Sequence, residues 1–215
     1  MNWRMLFSHR LAPLTTACGL SVFLLVVAAL VVAPPWSASP KAVAAEAVAA
    51  QLAAVRVVTA RPTIVGYQRE YFGGWSGPSQ CTTRDEVLAQ WFEGSQCQPN
   101  PSFTAVDPYT GGAITAAEVD IDHVYPLAAA WDLGAYQWSA SRRRAFGNDT
   151  ELNLLPTLAA VNRDKGDSTP AEWLPTAEMR CPYAHRYLAV ALKWELPVSE
   201  ADWLALAGSC GLDVD

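Results

Sequence analysis

The chain has 215 residues, 51% of them apolar and 17% charged, with a formal net charge of −6 at pH 7. This length and composition support one full core and leave no room for two large domains. The acidic balance excludes a protein that coats nucleic acid through a broad basic surface, because nonspecific affinity comes mostly from neutralising phosphates.

At the N-terminus, Arg4 and Arg10 precede an uncharged apolar stretch from Ala17 to Ala33, and all 21 acidic residues come after it. This order predicts a secretory leader over residues 1–44, with Ala42, Val43 and Ala44 as an A-x-A cleavage site and a cut nearer Ala38 as the alternative. The competing reading is an uncleaved membrane anchor. Both readings export the remainder of the chain, so membrane association is either transient or permanent. Residues 45–215 hold 12 basic against 21 acidic side chains, a balance of −9. They also hold Cys81, Cys97, Cys181 and Cys210, and export predicts two disulfides. Four cysteines allow three pairings, of which Cys81–Cys97 and Cys181–Cys210 close local loops and are favoured. The spacing is too open for a compact structural zinc site.

A helical lead-in is expected over residues 45–65, because the alanine-rich run from Ala44 to Val58 favours a helix, as a packing element or a spacer. The segment GYQREYFGGWSGPSQC predicts irregular surface structure. Thr83 and Glu86 have capping-box spacing for a helix over 83–92, with Val87, Leu88, Trp91 and Phe92 as its apolar stripe. Residues 98–113 read as loop. Val119 to His123 predicts a short strand, and Leu127 to Trp131 opens a helix that Gly134 ends. Ser141 precedes a short helix carrying Arg142, Arg143 and Arg144. A second strand around Asn153 to Leu155 and a helix from about Leu158 to Lys165 complete a strand, strand, helix core at about 117–167. Cys181 to Trp194 has helical periodicity, Pro197 interrupts it, and Ser199 with Asp202 caps a last helix through Leu206. The expected fold class is α+β, a mainly helical single domain over 66–215.

The densest chemistry lies in VDIDHVYPLAAAW and ELNLLPTLAAVNRDKGD. A strand sends Asp122 and His123 to opposite faces, and a bend before Pro126 brings them to one cleft. The oxygens of Asp122 and Asn162 suit one hard divalent cation, Mg²⁺ or Mn²⁺, and His123 suits a general base near neutral pH. Asn153 is expected to hold the loop through backbone hydrogen bonds, and Lys165 to contact a phosphate oxygen. Asp120 is either a second metal neighbour or a loop-fixing residue. Arg142, Arg143 and Arg144 are either a phosphate-positioning patch or a solvated helix face. His185, on an aromatic helix, reads as structural.

The pattern DHVYP at 122–126, LNLL at 152–155 and NRDKGD at 162–167 resembles the HNH family of endonucleases, the ββα-metal class, and within it the DUF1524-like secreted proteins of actinobacterial type. GYQREYFG, CTTRDEVL, YTGG, AWDLGAYQW, RRRAFGND, WLP and CPYAHRY are similar to landmarks of the same group, so the resemblance covers most of residues 66–210. It implies metal ligation by Asp122 and Asn162, a base at His123 and a loop-shaping role for Asn153. Asn162 stands where a literal His-Asn-His pattern has its last His and keeps an oxygen ligand there. Relatives often carry Asp where this chain has Thr82. Tyr67, Arg69, Arg84 and Asp85 are landmarks without an assigned role.

The function expected from these features is a secreted metal-dependent endonuclease that hydrolyses phosphodiester bonds in DNA with weak sequence specificity, RNA remaining open as a substrate, and with no obligate protein partner. Two other classes compete. One is a noncatalytic cell-envelope binding protein on the same scaffold, and the other is a phosphoesterase acting on a small or lipid-linked phosphate.

Overall fold

Alanine's helix propensity and an apolar face at Val48, Leu52 and Val55 build the first helix, α1 (Pro40–Ala54). The computed structural model describes residues 40–213, with side chains from residue 45, so the apolar stretch of the leader or anchor reading lies outside the described residues, while the Ala42–Ala44 segment falls within α1. Among the described residues no helix is long and apolar enough to cross a membrane. The lead-in belongs to the core and is not a spacer. Val48, Leu52 and Val55 lie in the main apolar cluster, and β1 (Val57–Val58) pairs in parallel with β6 (Val198–Ser199).

A single 3₁₀ turn at Arg69–Phe72 is anchored by buried Phe72. Helix α2 (Thr83–Trp91) comes next, capped reciprocally by Thr82 and Asp85 and not by the expected Thr83 and Glu86. Thr83 is committed elsewhere, since its amide and hydroxyl both donate to the Ser76 carbonyl. The expected loop at 98–113 contains a short hairpin, β2 (Ala105–Val106) antiparallel to β3 (Ala113–Ile114).

Strand β4 (Val119–His123) leads through Pro126 into α3 (Leu127–Asp132) and a 3₁₀ turn at Ala135–Gln137. Helix α4 (Ala140–Gly147) is capped by Ser139 and carries Ser141 within its first turn. The second strand starts one residue later than expected and runs longer, as β5 (Leu154–Leu158), and α5 (Ala159–Lys165) continues directly from it. Strands β4 and β5 are antiparallel with Asp122 opposite Leu155 and His123 opposite Leu154.

Helix α6 (Arg180–Trp194) ends at Glu195 in a left-handed conformation, and Ser199 with Asp202 caps α7 (Glu200–Ser209) as expected. Two apolar clusters hold the strand pair. One, with Val87, Leu88, Phe92 and Ile114, takes Val119, Ile121 and Leu154. The main cluster takes Val124, Tyr125 and Leu155, together with residues of α1, α3, α6 and α7. Both favoured disulfides form. Cys81–Cys97 spans 5.3 Å between Cα atoms, and Cys181–Cys210 spans 4.6 Å and ties α6 to the end of α7. The result is a mixed α/β domain with two disulfides.

Candidate functional site

The chain leaving β4 is bent by one side chain. Asn153, fully buried, accepts the Tyr125 amide on its Oδ1 at 2.8 Å and the Val124 amide on its carbonyl at 2.9 Å. Helix α6 holds that residue's own loop in place. Arg186 donates to the carbonyls of Leu152 and Leu154, while Lys193 and the Trp194 indole both reach the Asp149 carboxylate. The Asn153 amide nitrogen has no partner among the described residues.

Asp122 and His123 end β4, with alternate directions along the strand, yet both border one hollow of about 280 Å³ shared with Asn162, Arg163 and Asp167. Asp122 is 5% exposed. Its Oδ2 accepts the Tyr109 hydroxyl at 2.6 Å and lies 2.9 Å from the Lys165 ammonium, whose distance to Oδ1 is 3.2 Å. Tyr109 is placed by Asp107, whose carboxylate accepts the amides of Tyr109, Thr110 and Leu158 and the Thr157 hydroxyl. Burial and the adjacent Asp122 carboxylate push the Tyr109 phenol well above its ordinary range. Sequence reasoning missed Asp107 and gave Tyr109 only as part of the YTGG landmark, with no role; the polar turn DPYTGG does not reveal a contact across the fold.

His123 is 6% exposed, and its Nε2 lies 2.9 Å from the Gly147 carbonyl. A carbonyl only accepts, so Nε2 carries the proton and Nδ1 is the ring's free basic atom. Burial lowers the imidazole to about 4, with the Gly147 hydrogen bond and the Asp122 charge opposing and Arg69 and Lys165 adding a smaller downward push. The Trp75 indole lies parallel to the imidazole, at 5.8 Å between ring centroids. A second hollow, of about 80 Å³, lies on this side, between Trp75, His123, Arg69 and Gly147.

Asn162 is half-buried at the rim of the larger hollow, and its side chain makes no hydrogen bond among the described residues. Asp122 and Asn162 therefore offer two uncharged or anionic oxygens to one space, a donor set that fits a hard divalent cation. Oδ1 of Asp122, with one partner at 3.2 Å, retains lone pairs for it.

Three expected contacts take another form. Lys165 has no exposed surface; its ammonium is consumed by Asp122 and by the His123 carbonyl at 3.0 Å, so it has no path to a phosphate. Arg142 and Arg143 make no phosphate patch. Arg142 binds the Trp194 carbonyl and Glu195, and Arg143 binds the carbonyls of Tyr71, Ala135 and Trp138. Arg144 is exposed beside Gly73. Asp120 borders neither hollow and faces Arg163 at 3.8 Å. His185 is exposed on α6. Among the described residues, Cys81, Glu86 and Cys97 form a cluster of metal-binding residue types, but the disulfide leaves no thiolate there. A separate apolar hollow, about 560 Å³, lies against Tyr109, Tyr183 and Arg186 and is bordered by neither Asp122, His123 nor Asn162.

Comparison with known proteins agrees with an exported, nuclease-like molecule. An uncharacterized secreted protein of Arthroderma benhamiae is 37% identical over 150 residues, covering 66% of this chain and 72% of that protein. No solved structure matches. Residues 85–208, more than half of the sequence, match the family described as GmrSD restriction endonucleases, C-terminal domain, and the chain belongs to that family.

Proposed function

We propose that the protein is a secreted endonuclease of the HNH, ββα-metal type, hydrolysing phosphodiester bonds in DNA with weak sequence specificity. One observation carries this reading: Asp122, His123 and Asn162 border a single hollow, with the His123 ring fixed so that Nδ1 is its basic atom. The strand pair β4–β5 continued by α5 supports it, because that order brings these three residues together.

In this mechanism His123 takes a proton from water at Nδ1, and the Gly147 carbonyl keeps the ring in that tautomer and orientation. The imidazole is neutral at physiological pH because burial disfavours its cation. Asp122 and Asn162 would hold the divalent cation, Mg²⁺ or Mn²⁺, which when bound supplies charge neutralisation at the phosphate and assistance to the leaving oxygen. Tyr109 and Lys165 orient the Asp122 carboxylate. Asn153 keeps the strand exit bent, so its contribution is to the position of His123.

The test compares the purified protein with His123→Ala and Asn162→Ala on supercoiled DNA, single-stranded DNA and RNA, with metal binding measured in parallel. His123→Ala is expected to lose roughly 10²–10⁴-fold in turnover and to retain the metal. Asn162→Ala is expected to weaken both. Equal cleavage by all three proteins would reject the site. Metal binding without cleavage of any nucleic acid by the parent would leave a binding protein on this scaffold instead.

A further inference from the structure

We propose that Arg69 is the side chain that binds the scissile phosphate, reaching it from the seam between the two hollows that flank His123. This rests on the endonuclease reading and names a residue that it does not include.

Arg69 borders both the 80 Å³ hollow and the 280 Å³ hollow, as His123 and Leu127 do, and it is exposed. A phosphate placed within reach of the His123 imidazole and of the Asp122 and Asn162 oxygens therefore lies beside this guanidinium.

Both acidic groups that border the larger hollow already face a cation: Lys165 is 2.9 Å from Asp122, and Arg61 is 3.7 Å from Asp167. Arg163, at the same hollow, is 3.8 Å from Asp120. Arg142 and Arg143 are committed to carbonyls and to Glu195. Arg144, exposed and likewise without such a partner, touches Gly73 at the edge of the smaller hollow but lines neither, whereas Arg69 makes neither an ion pair nor a side-chain hydrogen bond among the described residues and is an unspent positive charge that lines both. On an acidic molecule such a group is what draws a phosphodiester to this place, and its planar fork suits two phosphate oxygens at once.

The turn Arg69–Phe72 that carries the guanidinium is anchored through its last two residues. Phe72 is fully buried against Phe146, Tyr71 stacks on Trp131 at 5.4 Å, and the Arg143 guanidinium donates to the Tyr71 carbonyl at 3.1 Å. The α4 arginine thus serves substrate binding indirectly, by holding the turn that presents Arg69. Anchoring the backbone of the turn sets where the exposed Arg69 side chain can reach, so only the side chain has to order when a phosphate binds.

The test uses Arg69→Ala, Arg69→Lys and, as a control for net charge, Arg56→Ala, whose exposed side chain borders neither hollow. Cleavage is measured on a duplex oligonucleotide, and binding of the same oligonucleotide is measured against salt in a His123→Ala background without added metal. Arg69→Ala is expected to lower kcat/KM by roughly 10²-fold and to reduce the slope of log affinity against log salt by about one phosphate contact, near 0.9. Arg69→Lys keeps the charge and the salt slope but recovers only part of the rate. Arg56→Ala stays near the parent in both assays.

Cleavage within about two-fold of the parent by Arg69→Ala, with an unchanged salt slope, would overturn the assignment. If Arg69→Ala does not fold, full activity and an unchanged salt slope in Arg69→Gln, which keeps the packing stem and removes the charge, would do the same. These results separate from failure of the endonuclease reading, which falls if His123→Ala cleaves like the parent, whatever Arg69 does.

Discussion

At the scale of single residues, the site is governed by what burial does to ionisable groups. His123 sits at about 4 in the folded chain against an ordinary 6.5, so the folded state resists protonation that the unfolded state accepts. Above pH 6.5 both states are neutral and the residue imposes no penalty. Below it the unfolded chain gains protons first, and stability falls until the folded imidazole titrates near 4, a total of about 3 kcal/mol. Urea unfolding in EDTA at several values across that window should show stability rising with pH, and His123→Gln should flatten the slope by close to one proton. Lys165 teaches the complementary lesson. Its nearness to Asn162 in NRDKGD was legible, but Asn162 and Lys165 lie three apart on α5 and share a face, and sequence does not say how deep each end of that face sits. Depth decided the outcome: Asn162 reaches the rim, whereas Lys165 is sealed beneath it against Asp122.

At the scale of elements, the helices and the two central strands were legible because their apolar periods are long enough to read. Strands β2 and β3 are two residues each, too short for any period, and they exist because Asp107 gathers amides from its own turn and from β5. The α2 cap illustrates register ambiguity. CTTRDE contains two overlapping pairs with capping-box spacing, and the choice between them depends on Ser76, which captures Thr83 from outside the motif. Thr82→Ala should therefore cost about 1 kcal/mol in denaturant unfolding, whereas Glu86→Gln should change little.

At the scale of the whole molecule, a domain of modest length with two disulfides gains stability from its covalent links. The Cys181–Cys210 bond closes a loop between residues 29 apart, joining the start of α6 to the end of α7. Its removal by paired Cys181→Ser and Cys210→Ser substitution should cost about 3 kcal/mol, read as a lower denaturant midpoint with an unchanged far-UV spectrum. Helix α6 also carries Arg186, Lys193 and Trp194, which fix the loop bearing Asn153, so loosening it should reach the cleft as well. Gly147 links the same scales at one point. Its carbonyl dictates where the His123 proton resides, and a Cβ there would stand 3.1 Å from the Phe72 carbonyl, so the turn that bears Arg69 would have to give by a few tenths of an ångström. In genetic language the position is pleiotropic: one residue bears on the proposed base through its carbonyl and on the proposed phosphate ligand through the space it leaves open.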